Sequence, residues 1–486
     1  MWWRRWSSRR FSLTEWSESE TDGSASIRTR LRRREQDVSY GTARRRDANR
    51  ETNKLLAEDH GVHRWYRFVL SFPPHLVRDY LNRFGIRPGQ RVLDPFCGTG
   101  TTLVECKKLG IAGAGIEANP MAALASQVKV DWEVDPGGLV DHAARVADRA
   151  YDALERDEIE DAPALACSNG HRILRTLSAE QQGLLLKDSI SPLPLHKALV
   201  LLECLEHERD ERFHRHEMVA LAKALVTTSG NLHFGPEVGV GPPKTDAPVI
   251  EPWLAGINAM AEDLRQVGRG AESVVFRADS RVLGAVLAPG SVDAVITSPP
   301  YPNEKDYTRT TRLESVLLGF IRDRETLRGL KQGLVRSNTR SVYQADDDDR
   351  FVADHPEIQR IAADIERRRI ELGKTSGFER LYPRVTRLYF GGMARHLADL
   401  RAVLRPGARL AYVVGDQASY LRVMIRTGQI LADIAGSLGY EVEGIDLFRT
   451  RLATATREEL REEVLLLRWG GEFSESGAAR VRETAR

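Results

Sequence analysis

The stretch "RVLDPFCGTGTTLVECKKLGIAGAGIEANP", residues 91–120, contains a complete supersecondary unit. "RVLD" is a short apolar strand, "PFCGTG" a glycine-rich loop, and "TTLVECKKLG" a helix stopped by Gly110. "IAGAGIE" is a second short strand, and another helix starts at Pro120. Strand, helix and strand at this spacing make a βαβ unit. That unit predicts a parallel sheet with a crevice at its strand ends.

Order begins upstream, near residues 63–86. There Pro73 and Pro74 precede a helical pattern with Leu76, Val77, Tyr80, Leu81 and Phe84 on one face. The α/β rhythm stops over residues 136–270, which read as a helical insertion containing "LHKALVLLECLEHERDERFHRHEMVALAKALV". His207, His214 and His216 within it sit among charges without metal-ligand spacing, so a solvated helix face is expected. The rhythm resumes at "ESVVFRADSRVL" and "SVDAVITSPPY". A polar insertion follows over 321–380, with the acidic run Asp346–Asp349 expected in a solvated loop. Strand, helix, strand and strand then close the chain at "ARLAYVVGD", "IRTGQILADIAGSLG", "YEVEGIDLFR" and "REEVLLLRW". The expected organisation is a basic tail (1–58), three core segments (59–135, 271–320 and 381–472) around the two insertions, and a short tail (473–486).

With 486 residues the chain exceeds one simple core, and 42% hydrophobic against 29% charged residues fits a soluble globular protein. No apolar run reaches membrane-spanning length, and "MWWRRWSSRR" lacks the apolar centre of a secretory signal; a cytoplasmic protein is expected. Cys97, Cys106, Cys167 and Cys204 form no CxxC pair, which argues against a structural zinc or a disulfide framework. Net charge is +2, yet Arg28 to Arg50 holds nine arginines against Glu35, Asp37 and Asp47. The first 58 residues read as a solvated tail, with a phosphate-touching arm as the functional alternative.

The chemistry collects at strand ends. Gly98 and Gly100 let backbone approach a ligand closely, and the helix after them offers its first N–H groups. No Lys-Ser/Thr follows, so this is no Walker loop, and a third glycine is missing for a dinucleotide fingerprint. Asp94 suits a cationic ammonium. Glu117, ending the second strand, suits two ribose hydroxyls. Asp279, after the third strand, suits the exocyclic amine of an adenine. An adenosyl group carrying a charged amino-acid tail satisfies all three, and S-adenosylmethionine fits that description. At the fourth strand end stand Ser298, Pro299, Pro300 and Tyr301. Prolines bring acceptors and no donors, so their carbonyls and the Ser298 hydroxyl suit an –NH2 group, and Tyr301 suits stacking on a planar base. No Pro-Cys nucleophile follows the fourth strand.

These motifs resemble the S-adenosylmethionine-dependent DNA amino-methyltransferases, the N4-cytosine and N6-adenine family. "DPFCGTGTT" resembles the family's cofactor loop, which carries Asp94, Phe96, Gly98, Gly100 and Thr101 over as cofactor-binding. "TSPPY" resembles its catalytic motif, "YVVGD" a later strand bordering the site, and "SFPPHLV" the segment that packs on the methionine end, with Phe72 and Pro74. The resemblance implies a Rossmann-like fold with a mainly parallel seven-stranded sheet and a substrate of double-stranded DNA with the target base flipped out. It leaves room for partner restriction or defence proteins. Within the family, serine at the catalytic motif leans toward cytosine N4. N6-adenine transfer, RNA methylation and a catalytically silent S-adenosylmethionine-binding scaffold are the alternatives. Asn303, Asp306, Tyr307 and Arg309 are neighbours expected to position base or backbone, or to serve a helix start. Arg336 and Arg340 are candidates for phosphate contact, and residues 136–270 and 321–380 for target recognition.

Overall fold

In the computed structural model, residues 55–66, 71–162, 173–234, 238–303, 305–452 and 459–471 are described. The arginine-rich stretch, Cys167 and the C-terminal tail lie outside them. Seven strands form the main sheet: β1 (Arg91–Asp94), β2 (Ala112–Ile116), β3 (Ser273–Phe276), β4 (Val292–Thr297), β5 (Leu404–Gly415), β6 (Tyr440–Leu452) and β7 (Glu459–Trp469). Their order is β3-β2-β1-β4-β5-β7-β6. All run parallel except β7, which pairs antiparallel with β5 and β6. This is the Rossmann-like, mainly parallel seven-stranded sheet that the resemblance implies. The order reverses between β1 and β4, where Leu93 pairs with Ala114 on one side and Val295 on the other. That reversal opens the crevice at the strand ends.

Val92, Leu93, Ala114, Val292, Val295 and Ile296 are wholly buried, as befits central parallel strands covered on both faces. Helix α1 (Pro74–Phe84) lays Leu76, Val77, Tyr80 and Leu81 on one face and ends on left-handed Gly85. Helix α2 (Thr101–Lys108) joins β1 to β2, and α3 (Pro120–Lys129) follows β2. Asn119 caps α3 by accepting from the N–H groups of Met121 and Ala122.

The first insertion contains α4 (Pro136–Arg156), α5 (Pro192–His207), α6 (His214–Ala224) and α7 (Ile250–Gln266). Leu201, Val219 and Trp253 pack in one cluster with Leu103 of α2 and Met121 of α3. The insertion is therefore built onto the sheet's own helices. The continuous helical pattern breaks after His207, where Asp210 gathers the N–H groups of Arg212, Phe213 and His214. The expected solvated histidine face is not found. His207 is exposed, but His214 and His216 are buried, and His216 packs edge-on to Trp65. Alternation of charge along the chain did not reveal which side faced the core.

The second insertion also joins the core. Helices α8 (Arg324–Gln332), α9 (Pro356–Glu371) and α10 (Gly377–Leu400) precede β5. Val335, Val352, Ile358 and Ile361 share a cluster with Leu93, Ile116 and Val295. The acidic run is not simply solvated: Asp346 forms a two-pronged pair with Arg336, and Asp348 pairs with Arg281 and Arg395. Arg336 is consequently buried, its guanidinium spent on Asp346 and on the carbonyls of Lys331 and Leu334, so it is not a phosphate contact. Arg340 is exposed and stands over the Phe378 ring. Among the described residues no helix is long and apolar enough to cross a membrane.

Candidate active site

β1 delivers Asp94 to the centre of the crevice, where it is wholly buried. Its Oδ1 accepts from the Thr297 hydroxyl at 2.6 Å and the Phe96 N–H at 3.1 Å. Its Oδ2 is buried with no hydrogen-bond partner among the described residues. Burial pushes the Asp94 pKa up to about 6, against the opposing hydrogen bond from Thr297. A buried carboxylate with one oxygen unsatisfied calls for a cationic donor. Gly98 and Gly100 hold φ of +52° and +85° in the loop that follows. A Cβ on Gly100 would stand 2.5 Å from Ser126 Oγ and 3.3 Å from its Cα, so α3 itself requires the glycine. A Cβ on Gly98 would meet nothing within 4 Å among the described residues, which leaves open space above the loop. The unsatisfied Asp94 oxygen and this open cradle fit the ammonium-bearing tail of S-adenosylmethionine.

Glu117 sits just past β2. Its two oxygens accept from the N–H groups of Gly98 (2.9 Å) and Asn119 (2.7 Å), which fixes the carboxylate and ties it to the loop. Each oxygen retains acceptor capacity for a ribose hydroxyl. Burial raises its pKa to about 7. Asp279 is half-buried and paired in two-pronged fashion with Arg281, at 3.0 Å and 2.6 Å. The same guanidinium donates to Asp348 and, at 2.9 Å, to the Gln332 carbonyl. Sequence spacing did not foresee this: the acid at the third strand end is anchored to the second insertion. Phe96 is half-buried and meets His396 edge-on, with ring centres 4.9 Å apart. His396 is buttressed in turn by the Ser280 carbonyl and the Tyr412 hydroxyl. Burial lowers its pKa to about 4 and keeps it neutral.

The Ser-Pro-Pro-Tyr turn leaves β4 next to this loop. Thr297, immediately before it, is the donor to Asp94, so the two motifs are joined by a hydrogen bond. The Ser298 hydroxyl donates to the Val413 carbonyl of β5 at 3.1 Å, which directs its proton into the sheet and leaves its oxygen as an acceptor. The Tyr301 ring packs against Gly415 at the end of β5; a Cβ there would lie 3.0 Å from the ring. Burial pushes the Tyr301 phenol up and keeps it protonated. Burial raises the Tyr307 phenol as well. The neighbours Asn303 and Asp306 serve structure. Asn303 accepts from the Lys305 N–H, while Asp306 caps a short helix at Thr308 and pairs with Lys331 at 2.9 Å. Arg309 is half-buried beside them.

Phe72 and Pro74 are brought to the other side of the loop, where with His63, Thr99, Thr101 and Lys129 they line a cleft. The structure thus gathers Asp94, Gly98, Glu117 and the Ser-Pro-Pro-Tyr turn at one crevice and places Phe72, Pro74 and Thr101 along its flank. Thr297 and Lys129 escaped the motif reasoning. The "TSPPY" string contained the first, and nothing local marked the second. Among the described residues no His/Cys/Asp/Glu group could hold a metal ion.

The chain is similar to known DNA methyltransferases. The sequence model of the N6/N4 methyltransferase family, described as DNA methylase, matches residues 15–127. The chain is 26% identical over 439 residues to the type II methyltransferase M.BsoBI of Geobacillus stearothermophilus, covering 82% of this chain and 83% of that one. It is 25% identical over 442 residues to the type II methyltransferase M.AvaI of Nostoc sp., covering 84% and 86%. A shorter segment of 67 residues is 43% identical to a tRNA (guanine(10)-N2)-dimethyltransferase of Methanothermobacter thermautotrophicus, covering 14% and 16%.

Proposed function

We propose that this chain, an S-adenosylmethionine-dependent methyltransferase of the N4/N6 DNA methylase type, methylates the exocyclic amine of a base flipped out of double-stranded DNA, with cytosine N4 as the target. The observation that carries the reading is the junction at the crevice: the Thr297 hydroxyl, one residue before Ser-Pro-Pro-Tyr, donates to Asp94 of the glycine loop at 2.6 Å. A cofactor tail held at Asp94 and an amine held at Ser298 are then neighbours, which is the proximity that group transfer needs.

The cofactor supplies an electrophilic methyl group on a sulfonium. The protein's part is to hold and orient. Asp94 holds the ammonium, Glu117 the ribose, and Asp279, fixed by Arg281, the adenine amine. The Ser298 oxygen, its own proton committed to Val413, accepts from the target –NH2, together with the carbonyls of the proline turn. Those acceptors pull on the amine's N–H bonds and leave the nitrogen lone pair for the methyl. Tyr301 offers its ring to the base. No covalent adduct with the protein is required. Serine at this position favours cytosine. The two insertions, both packed beside the site, are assigned target recognition, and the role fits restriction-modification or a related defence system. Adenine N6 is the alternative target, and the short match to a tRNA methylating enzyme keeps RNA in the test.

The test is methyl transfer from labelled S-adenosylmethionine to genomic DNA and total RNA, followed by identification of the product nucleoside. N4-methylcytosine in DNA, lost in Ser298→Ala and Tyr301→Ala, is the expected result. N6-methyladenine would change the base, and label confined to RNA would overturn the DNA assignment.

A further inference from the structure

The ribbon made by β6 and β7 outruns the sheet at the crevice end. The last residue of β5 to pair is Gly415, opposite Glu462 of β7. Beyond that rung the pairing continues between β6 and β7, through Thr450 with Arg461, Arg451 with Leu460 and Leu452 with Glu459. These rungs carry the ribbon about 10 Å past β5, at ~3.4 Å per residue. β5 is parallel to β4, and β4 to β1, so this is the end at which the Ser-Pro-Pro-Tyr turn leaves the sheet. The ribbon is tied down there. The Asp416 N–H donates to the Arg461 carbonyl at 2.8 Å, the Asp416 carboxylate accepts from the Arg461 N–H at 3.3 Å, and Leu460 is buried.

One face of the ribbon is shared with Tyr301. A Cβ on Gly415 would meet the Tyr301 ring at 3.0 Å and Glu462 Cγ at 3.3 Å, so ring and acid lie on the same side of the sheet. Residues directly opposite one another share a face, and so do residues two apart. Arg449, opposite Glu462, is therefore on the Tyr301 side, and Arg451 follows it one step further out. The two arginines differ in their partners. Arg449 is spent on Glu462, as Arg461 is on Glu463 across the ribbon's other face. Glu459, at the outermost rung, also belongs to that other face. Arg451 is exposed and has no ion pair among the described residues. An uncompensated guanidinium on the side of the ring that receives a base suits a phosphate, which it can bind through two N–H groups at once. We propose that the outer end of the ribbon is a DNA-backbone contact, with Arg451 holding a phosphate of the strand whose target base stacks on Tyr301; this rests on the DNA methylase reading above. Such a contact fixes the strand and carries no sequence information, so it is separate from the target recognition assigned to the insertions.

The test is methyl transfer from labelled S-adenosylmethionine to sheared genomic DNA over a range of salt, with the full chain, Arg451→Gln and Arg451→Lys. In Arg451→Gln the KM for DNA should rise about tenfold, the margin of one charge-assisted contact, and the loss should fall on KM and not on kcat. The slope of log kcat/KM against log salt should flatten by about one, as one phosphate contact is removed. Arg451→Lys keeps the charge and should keep the slope. Affinity for S-adenosylmethionine should match the parent in both variants, which reports an intact fold. KM and slope unchanged in Arg451→Gln overturn the contact and leave DNA methylation standing. A raised KM with an unaltered slope overturns it too, since that is a packing effect. Failure of the unmodified protein to label DNA overturns both.

Discussion

Asp94 has an ordinary carboxyl pKa of 3.8 that burial raises to about 6 in the fold. A raised acid favours the folded state below the unfolded value, and that contribution is lost as pH climbs through the folded value. Burying the charge above pH 6 thus costs about 3 kcal/mol, since each unit is worth about 1.36 kcal/mol. A cofactor ammonium placed on the unsatisfied oxygen offsets that cost only when the acid is ionised. Cofactor affinity should therefore fall as pH drops from 8 to 5, first through the Glu117 range near 7 and then through the Asp94 range near 6. Calorimetry over that window checks it; Asp94→Asn should bind weakly and lose only the lower step. A flat profile in the unmodified protein would sink the assignment of both acids. Ser298 gives a different signature. Because its hydroxyl touches the sheet and not the glycine loop, Ser298→Ala should leave cofactor affinity unchanged and cut kcat by ~10²-fold, the usual loss for one preorganised hydrogen bond at a reacting group.

The glycine loop and the Ser-Pro-Pro-Tyr turn were legible because their residues impose backbone geometry locally: glycines at positive φ, prolines that stop β4, Gly110 that stops α2. The strands and α1 to α3 followed from short-range periodicity for the same reason. What stayed hidden depends on partners far along the chain. Asp348 lies 67 residues from Arg281, so an acidic run that reads as solvent-facing becomes a buried anchor. His214 and His216 likewise become buried only because other elements pack over α6. The Arg281 anchor has a measurable consequence. Arg281→Met strands Asp348 in the interior with Arg395, at 3.3 Å, as its remaining ion-pair partner among the described residues. Loss of one partner from such a buried pair costs about 3–5 kcal/mol. The variant should melt well below the parent and bind cofactor less tightly, since Asp279 loses the group that fixes it. Combination with Asp348→Asn should cost less than the sum of the two separate changes, as residues of one network do.

Both insertions share hydrophobic clusters with the sheet and its helices. The prediction is a single cooperative unfolding transition in calorimetry, raised by about 2.7 kcal/mol in the presence of S-adenosylmethionine at a hundred times its dissociation constant. Two separated transitions, one insensitive to cofactor, would instead make an insertion an independent domain. The Thr297–Asp94 bond finally bears on the order of events in a catalytic cycle. In the proposed reading Asp94 holds the cofactor and Thr297 carries the turn that receives the base, so occupancy of one half of the crevice would alter the footing of the other. Such coupling is reciprocal. Cofactor should tighten DNA by the factor by which DNA tightens cofactor, and Thr297→Val should bring both factors toward one together. The demethylated product carries the same amino-acid end and should grip the protein on DNA equally well. Spent cofactor should then leave the DNA-bound protein more slowly than the free protein, which release kinetics with and without DNA would show.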